Sequence, residues 1–336
     1  MTSDRLKPGI HFHSIEIPPV GTHNTLPPFN SQMEKGMKLE LNIIRIIGKG
    51  NGPKIYVGGG THGDETNGIE AALTIKEHID QSTLKGEIVI VPVQNPGGLQ
   101  YRMRLNPYDP IDPDWVHPGN PDGTYTQRVK YILNDLARDA DCVIDLHTAG
   151  RGGINNSMIY TPPETGNGAG KRSLALSKAF GGDRIIQGRR EEDYGWPVTY
   201  AMPFVSVREG RAGIYAEAGE GGAVTPHLGH VEYFVTGVLN VLKAMGMIDG
   251  EPVNQGERIV VDPLKENAIS IEAKDFGIHS PLASVGDTVK KGQRLAQVRK
   301  IPTGLDIFYS PIDGLVTWQQ SYGPVSKWER LFTISP

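Results

Sequence analysis

The chain has 336 residues, 38% hydrophobic and 21% charged, which is enough for a large core and excludes long disorder or a coiled coil. Its 34 basic and 38 acidic side chains leave a net charge of −4, so nothing in the balance favours nucleic acid or an anionic membrane as partner. The 42 glycines and 25 prolines are scattered rather than periodic, the pattern of a loop-rich enzyme and not of a solenoid.

In chain order, Ile10–Ile17 alternates and reads as a strand, followed by strands over Met37–Ile47 and Lys54–Val57. Asn67–Ile79 carries apolar residues at helical spacing. Glu87–Val93 is a nearly continuous apolar run, as expected for a strand covered on both faces. A helix over Tyr125–Asp139, a buried strand over Asp141–His147, a helix over Leu174–Phe180, a strand over Gly213–Ala218 and a helix over Val231–Met245 follow. Alternating strands and helices indicate an α/β fold with a mixed, largely parallel sheet flanked by helices. Composition changes near Gly250–Gly256, giving an expected first unit of 1–250, whose N-terminal strands are free to pair with the tail, and a second of 256–336. Val285–Val298 and Tyr309–Val316 resemble the halves of a biotinyl/lipoyl-like β-sandwich or barrel module. The tip between them, Ile301–Gly304, has Thr303 near the place of the carrier lysine, so a structural module is expected.

The stretch Gly58–Gly68, GGGTHGDETNG, admits two readings. It satisfies the G-x-G-x-x-G dinucleotide pattern. That site also wants an acid at the end of the second strand to hold a ribose, and Gln94 stands there. The other reading is a metal site: His62 and Glu65, spaced i, i+3 at a helix entry, can face one point. A plain helix start with Asp64 and Glu65 at the positive end of the dipole would look the same. His147 adds weight to the metal reading, because it leaves the C-terminal end of a buried strand, where open α/β sheets place ligands. Two histidines and a carboxylate with one open position make a catalytic zinc set. Asp145, two residues earlier on the same strand face, can orient an imidazole. In GIYAEAGEGG, Glu217 is late in an apolar strand and suits a general base, with Glu220 as the competing acid.

GGGTHGDETNG (58–68), NPGGLQYRMRLNP (95–107), HPGNPDGT (117–124), DLHTAG (145–150) and YAEAG (215–219) together resemble the succinylglutamate desuccinylase/aspartoacylase family, relatives of the zinc carboxypeptidases. The resemblance covers about residues 50–245, and the β tail fits it. It implies a zinc-dependent deacylase with one zinc per chain, His62, Glu65 and His147 as ligands, Glu217 as catalytic carboxylate and Arg104 polarising the scissile carbonyl. Arg102, two positions away, is the substrate-binding alternative. The family's Asn-Arg pair, which grips a substrate carboxylate, is replaced by Asp114 and Trp115. An indole cannot make a bidentate carboxylate clamp but can stack on an apolar or cationic group. Arg151, Arg189 and Arg190 are substitute anchors. The expected partner is a small molecule, with no nucleic acid or membrane, and a homo-oligomer is compatible. A carboxypeptidase acting on peptides and a non-catalytic metal-binding protein stand as the alternatives. The polar start, the absence of an 18-residue apolar run and the single cysteine, Cys142, fit a reducing cytoplasm.

Overall fold

A computed structural model describes residues 7–17, 39–194, 200–222, 225–256 and 259–336. Its centre is four parallel strands in the order β4 (Lys85–Val91), β3 (Gly50–Gly59), β5 (Cys142–Ala149) and β8 (Ala212–Glu220). On one side β2 (Glu40–Ile47) and then β1 (Gly9–Glu16) add antiparallel strands. On the other, β6 (Gly153–Tyr160) runs antiparallel to β8. β1 therefore lies at the end of the sheet away from the tail and pairs with β2, which corrects the expectation that the N-terminal strand pairs with the C-terminal segment. The first part of the Met37–Ile47 run lies outside the described residues.

Alternation sorts the strand residues onto two faces. Ile55, Val57, Ile144, Leu146, Ile214 and Ala216 pack on one face beneath α1 (Thr66–Ile75), α4 (Ala169–Phe180) and α6 (Leu228–Ala244). Tyr56, Val89 and Val143 face the other way, under α3 (Tyr125–Ala137). α3 begins where Thr124 and Gln127 form a reciprocal capping box. α6 buries Phe234, Val235, Val238, Val241 and Leu242, a stripe worth roughly 1.5–3 kcal/mol per side chain before entropy is counted.

Two glycines bring the elements close enough to build a site. Gly60 has φ +60°, the left-handed turn that takes the chain off β3. At Gly68, in the first turn of α1, a Cβ would lie 2.4 Å from the Leu146 carbonyl oxygen. Gly60, in the fingerprint, and Gly68, beyond it, thus serve the close approach of a strand end, a helix start and a second strand. The helix start carries a carboxylate of its own, since Glu65 is its N-cap residue.

The C-terminal strands extend the same sheet. β15 (Gly314–Gln320) pairs antiparallel with β6, followed by β17 (Arg330–Ser335) and β10 (Ile269–Glu272). A second, four-stranded antiparallel sheet contains β13 (Arg294–Lys300) and β14 (Leu305–Tyr309), whose hairpin tip holds Ile301–Gly304. The two sheets share a core of Val298, Phe308, Val316, Phe332 and Ile334. No described helix is long and apolar enough to cross a membrane. Replacing Gly68 by Ala is expected to lower stability by about 1–3 kcal/mol, since neither backbone can yield. A drop in denaturant midpoint at constant m checks it.

Candidate active site

The loop from Gly60 to Glu65 crosses the C-terminal end of the sheet and meets residues that rise from β5 and β8. His62, Glu65 and His147 are all buried, with relative exposures of 0%, 1% and 0%. Glu65 bridges the two imidazoles: Oε1 lies 2.8 Å from His62 Nδ1 and Oε2 2.9 Å from His147 Nδ1. The Thr148 backbone N–H donates to Oε2 at 3.0 Å. Each ring presents its other nitrogen to a second carboxylate. His62 Nε2 is 3.1 Å from Asp112 Oδ1, and His147 Nε2 is 3.2 Å from Asp145 Oδ2. That is how metal-ligating histidines are oriented, with one nitrogen toward the ion and the other toward a carboxylate.

Asp145 is itself held. Gln94 Nε2 donates to it at 2.6 Å and Thr61 Oγ1 at 3.2 Å, while the Tyr56 hydroxyl donates to Gln94 Oε1 at 3.0 Å. Gln94, the residue that left the ribose without an acid, therefore serves the histidine. Arg104 donates to Glu65 Oε1 at 3.0 Å and to Asp112 Oδ2 at 3.3 Å, so it ties the bridging carboxylate to the supporting one. Burial pushes the Glu65 carboxyl upward, but the two histidines overcome this by charge and hydrogen bonding and hold it well below the usual carboxylate range. Asp112 is likewise held down against burial, by His62 and then Arg104.

The residues found only in three dimensions are Asp112, Gln94, Thr61, Tyr215 and Asn155. Asp112 stands two residues before Asp114, but no spacing rule links it to His62, 50 residues upstream. Tyr215 shares its strand face with Glu217, stacks on His147 at 4.0 Å between ring centroids and donates to Asp114 Oδ2 at 2.9 Å. Glu217 pairs in register with His147, accepts from Asn155 Nδ2 at 2.7 Å, and is pushed up to about 7, chiefly by burial, with the His147 charge opposing. Glu220, its competitor, is exposed.

Other expected residues separate. Asp114 is buried, 3.6 Å from His62 Nε2, whereas Trp115, on the same single 3-10 turn, is 48% exposed. Arg102 ends α2 (Pro96–Tyr101) in a left-handed conformation with its side chain exposed. It joins none of the cluster's ion pairs among the described residues, because the turn points it away while Arg104 turns in. Arg189 and Arg190 pair with Asp262 and Asp193 and are largely exposed.

Ligand atoms of His62, Glu65 and His147 all lie within 4.8 Å of one another. Two imidazole nitrogens and a carboxylate suit a divalent transition metal, and the backing carboxylates leave both Nδ1 atoms directed inward, so the residues fit such an ion. A parallel sheet ending in this donor set, with a half-buried glutamate on the adjoining strand, is the arrangement of a hydrolase site. Comparison with known proteins gives the class a family. The sequence model of the succinylglutamate desuccinylase/aspartoacylase catalytic domain matches residues 51–245, and the chain belongs to that family of amide-bond hydrolases. Among curated proteins it is 26% identical over 258 residues to the N-alpha-acetyl-L-2,4-diaminobutyric acid deacetylase of Halomonas elongata, covering 76% of this chain and 73% of that one. Among solved structures it resembles a succinylglutamate desuccinylase/aspartoacylase from Rhodobacter sphaeroides, with a TM-score of 0.80 and 23% identity over 98% of this chain and 96% of that one. It also resembles the product-bound ectoine utilization protein EutE (DoeB) from Ruegeria pomeroyi, with a TM-score of 0.81 and 19% identity over 98% and 95% of the two chains.

Asp112→Asn and Asp145→Asn are each expected to weaken metal affinity about 10–100-fold while the fold persists. His62→Ala and His147→Ala should lose the ion altogether. Metal titration calorimetry, with Arg102→Ala as the unaffected control, reads all of these.

Proposed function

We propose that this chain is a zinc-dependent deacylase acting on a small N-acyl amino acid that carries a second, cationic amino group. The observation that carries the reading is the convergence of His62 Nδ1, Glu65 and His147 Nδ1, with Glu217 on the neighbouring strand. A zinc ion held by those three side chains would supply a Lewis acid and a water acidic enough to lose a proton near neutral pH. Glu217 accepts the water's proton as the oxygen attacks the amide carbonyl carbon. It then delivers that proton to the amine nitrogen as the C–N bond breaks. Arg104, partly exposed beside Glu65, donates to the carbonyl oxygen as charge builds there. The products are a carboxylate and a free amine.

The substrate class rests on Asp114 and on what is missing beside it. Where the family pattern has an Asn-Arg pair, this chain has a buried carboxylate and an outward indole. Asp114 Oδ2 accepts from Tyr215, and Oδ1 has no partner among the described residues. A carboxylate there repels a second acidic group and attracts an ammonium. The name of the Halomonas relative, an acetylated diamino acid deacetylase, supports the same class. The proposed catalytic unit is residues 1–250, with the β module from 256 as its scaffold and a reducing cytoplasm as its setting.

Zinc should be stoichiometric by elemental analysis, and chelation should abolish turnover. Glu217→Gln should retain the metal and lose about 10²–10⁴-fold in kcat. Because the base must be ionised and burial raises its pKa to about 7, kcat/KM should climb with pH through that value and fall away below it. N-acetyl-diaminobutyrate should outcompete N-acetylaspartate and N-succinylglutamate in parallel assays. Asp114→Asn should narrow that gap by about tenfold. Equal rates on all three substrates would sink the assignment of substrate class.

A further inference from the structure

Glu217 reaches the site from β8, but the donor that meets its carboxylate comes from β6. Asn155 is 1% exposed, and its Nδ2 lies 2.7 Å from Glu217 Oε2. In register Asn155 faces Gly219, and the pairing of β6 with β8 shifts between Asn155 and Met158. A bulge of this kind re-aims a side chain, and here the amide reaches back along β8 to the glutamate. An ionised carboxylate requires a donor, so chemistry fixes Nδ2 toward Glu217 and Oδ1 away from it. With Oε2 occupied, Oε1 is the oxygen left to receive the water's proton.

β6 is held from its other edge by the C-terminal module. Trp318, Gln319 and Gln320 of β15 pair with Asn155, Ile154 and Gly153. The Trp318 indole lies so close over Gly153 that a Cβ there would be 2.3 Å from the ring, and Arg330 stacks on the indole at 4.6 Å. Gln320 Nε2 donates to the Arg151 carbonyl at 3.1 Å, and the Ser321 backbone N–H to the Gly152 carbonyl at 2.9 Å. The segment that presents Asn155 is thus clamped between the catalytic strand and the tail.

We propose that Asn155 is the positioning residue of the Glu217 carboxylate, and that the C-terminal β module serves the reaction by fixing the strand that presents it. The inference rests on Glu217 being the base. It gives the module a role in catalysis that does not require it to touch substrate.

The test uses the full-length, zinc-loaded chain with Asn155→Ala, Asn155→Asp and Trp318→Ala. Misplacing a reacting group by an ångström costs about 10²-fold, so Asn155→Ala should lose about that much in kcat. KM should stay within about threefold, since the loss falls on the chemical step. Zinc content should not change. The acidic limb of the pH–rate profile should move to higher pH, because a donor that favours the carboxylate is gone. Asn155→Asp keeps the shape and removes the donor, so it should lose kcat in the same way even if the alanine variant folds poorly. Trp318→Ala should show a smaller loss of the same kind. Wild-type kcat and an unmoved acidic limb in the Asn155 variants would overturn the proposal, as would a loss confined to KM or to zinc content. A fully active Trp318→Ala would overturn the module's part in it. An active Glu217→Gln would instead sink the base assignment itself, whereas an inactive one beside active Asn155 variants would sink only this inference.

Discussion

One carboxylate, Glu65, holds the site together by bridging two imidazoles that arrive from different parts of the chain. Its surroundings make sense only as a charge problem. Glu65, Asp112, Asp114 and Asp145 are all buried around His62 and His147, and Arg104 touches two of the four. Buried carboxylates at such density are costly unless cations neutralise them. Arg104 supplies one positive charge, and a divalent ion held by the two neutral imidazoles and Glu65 would supply two more, offsetting three of the four. Electrostatic balance and ligand chemistry therefore point to the same occupant.

The fold converts this demand into geometry through strand alternation. Asp145 and His147 share a face of β5, and Tyr215 and Glu217 share the matching face of β8, with His147 and Glu217 in register. The opposite face of the same strands carries Ile144, Leu146, Ile214 and Ala216 into the core. A one-residue slip in either strand would turn the chemistry under α6 and the core side chains toward α3. The glycine-rich turn is what lets the loop bearing His62 and Glu65 come down onto those strand ends. Its glycines remove side chains where backbones nearly touch, which also explains why it satisfies a nucleotide fingerprint while its helix start is occupied by Glu65.

The strongly periodic elements are legible in the sequence alone. The strands around Ile88 and Ile144 and the helix around Val238 stand within a few residues of where apolar spacing puts them, because each buries a full face. β6 was not legible. Its sequence, GINNSMIY, hides a buried strand behind polar residues whose partners lie elsewhere: Asn155 on Glu217 and Ser157 on Asp183. α5 (Met202–Arg208) is not legible either, being too short to show a helical period. Arg102 and Arg104 were indistinguishable by spacing, and only the left-handed turn at Arg102 separates the outward guanidinium from the inward one.

The sequence by itself offered the candidate inventory, His62, Glu65, Asp145, His147 and Glu217 with the departure at Asp114 and Trp115, and determined an α/β frame with a β tail. Those follow from residue type and local period, properties that a linear chain carries. Tertiary structure alone decided that Asp112 backs His62, which donor grips Glu217, and that the tail continues the catalytic sheet through β15 and β6. Such contacts join residues tens to more than a hundred positions apart. No local spacing encodes them, because their partners are chosen by strand order and register.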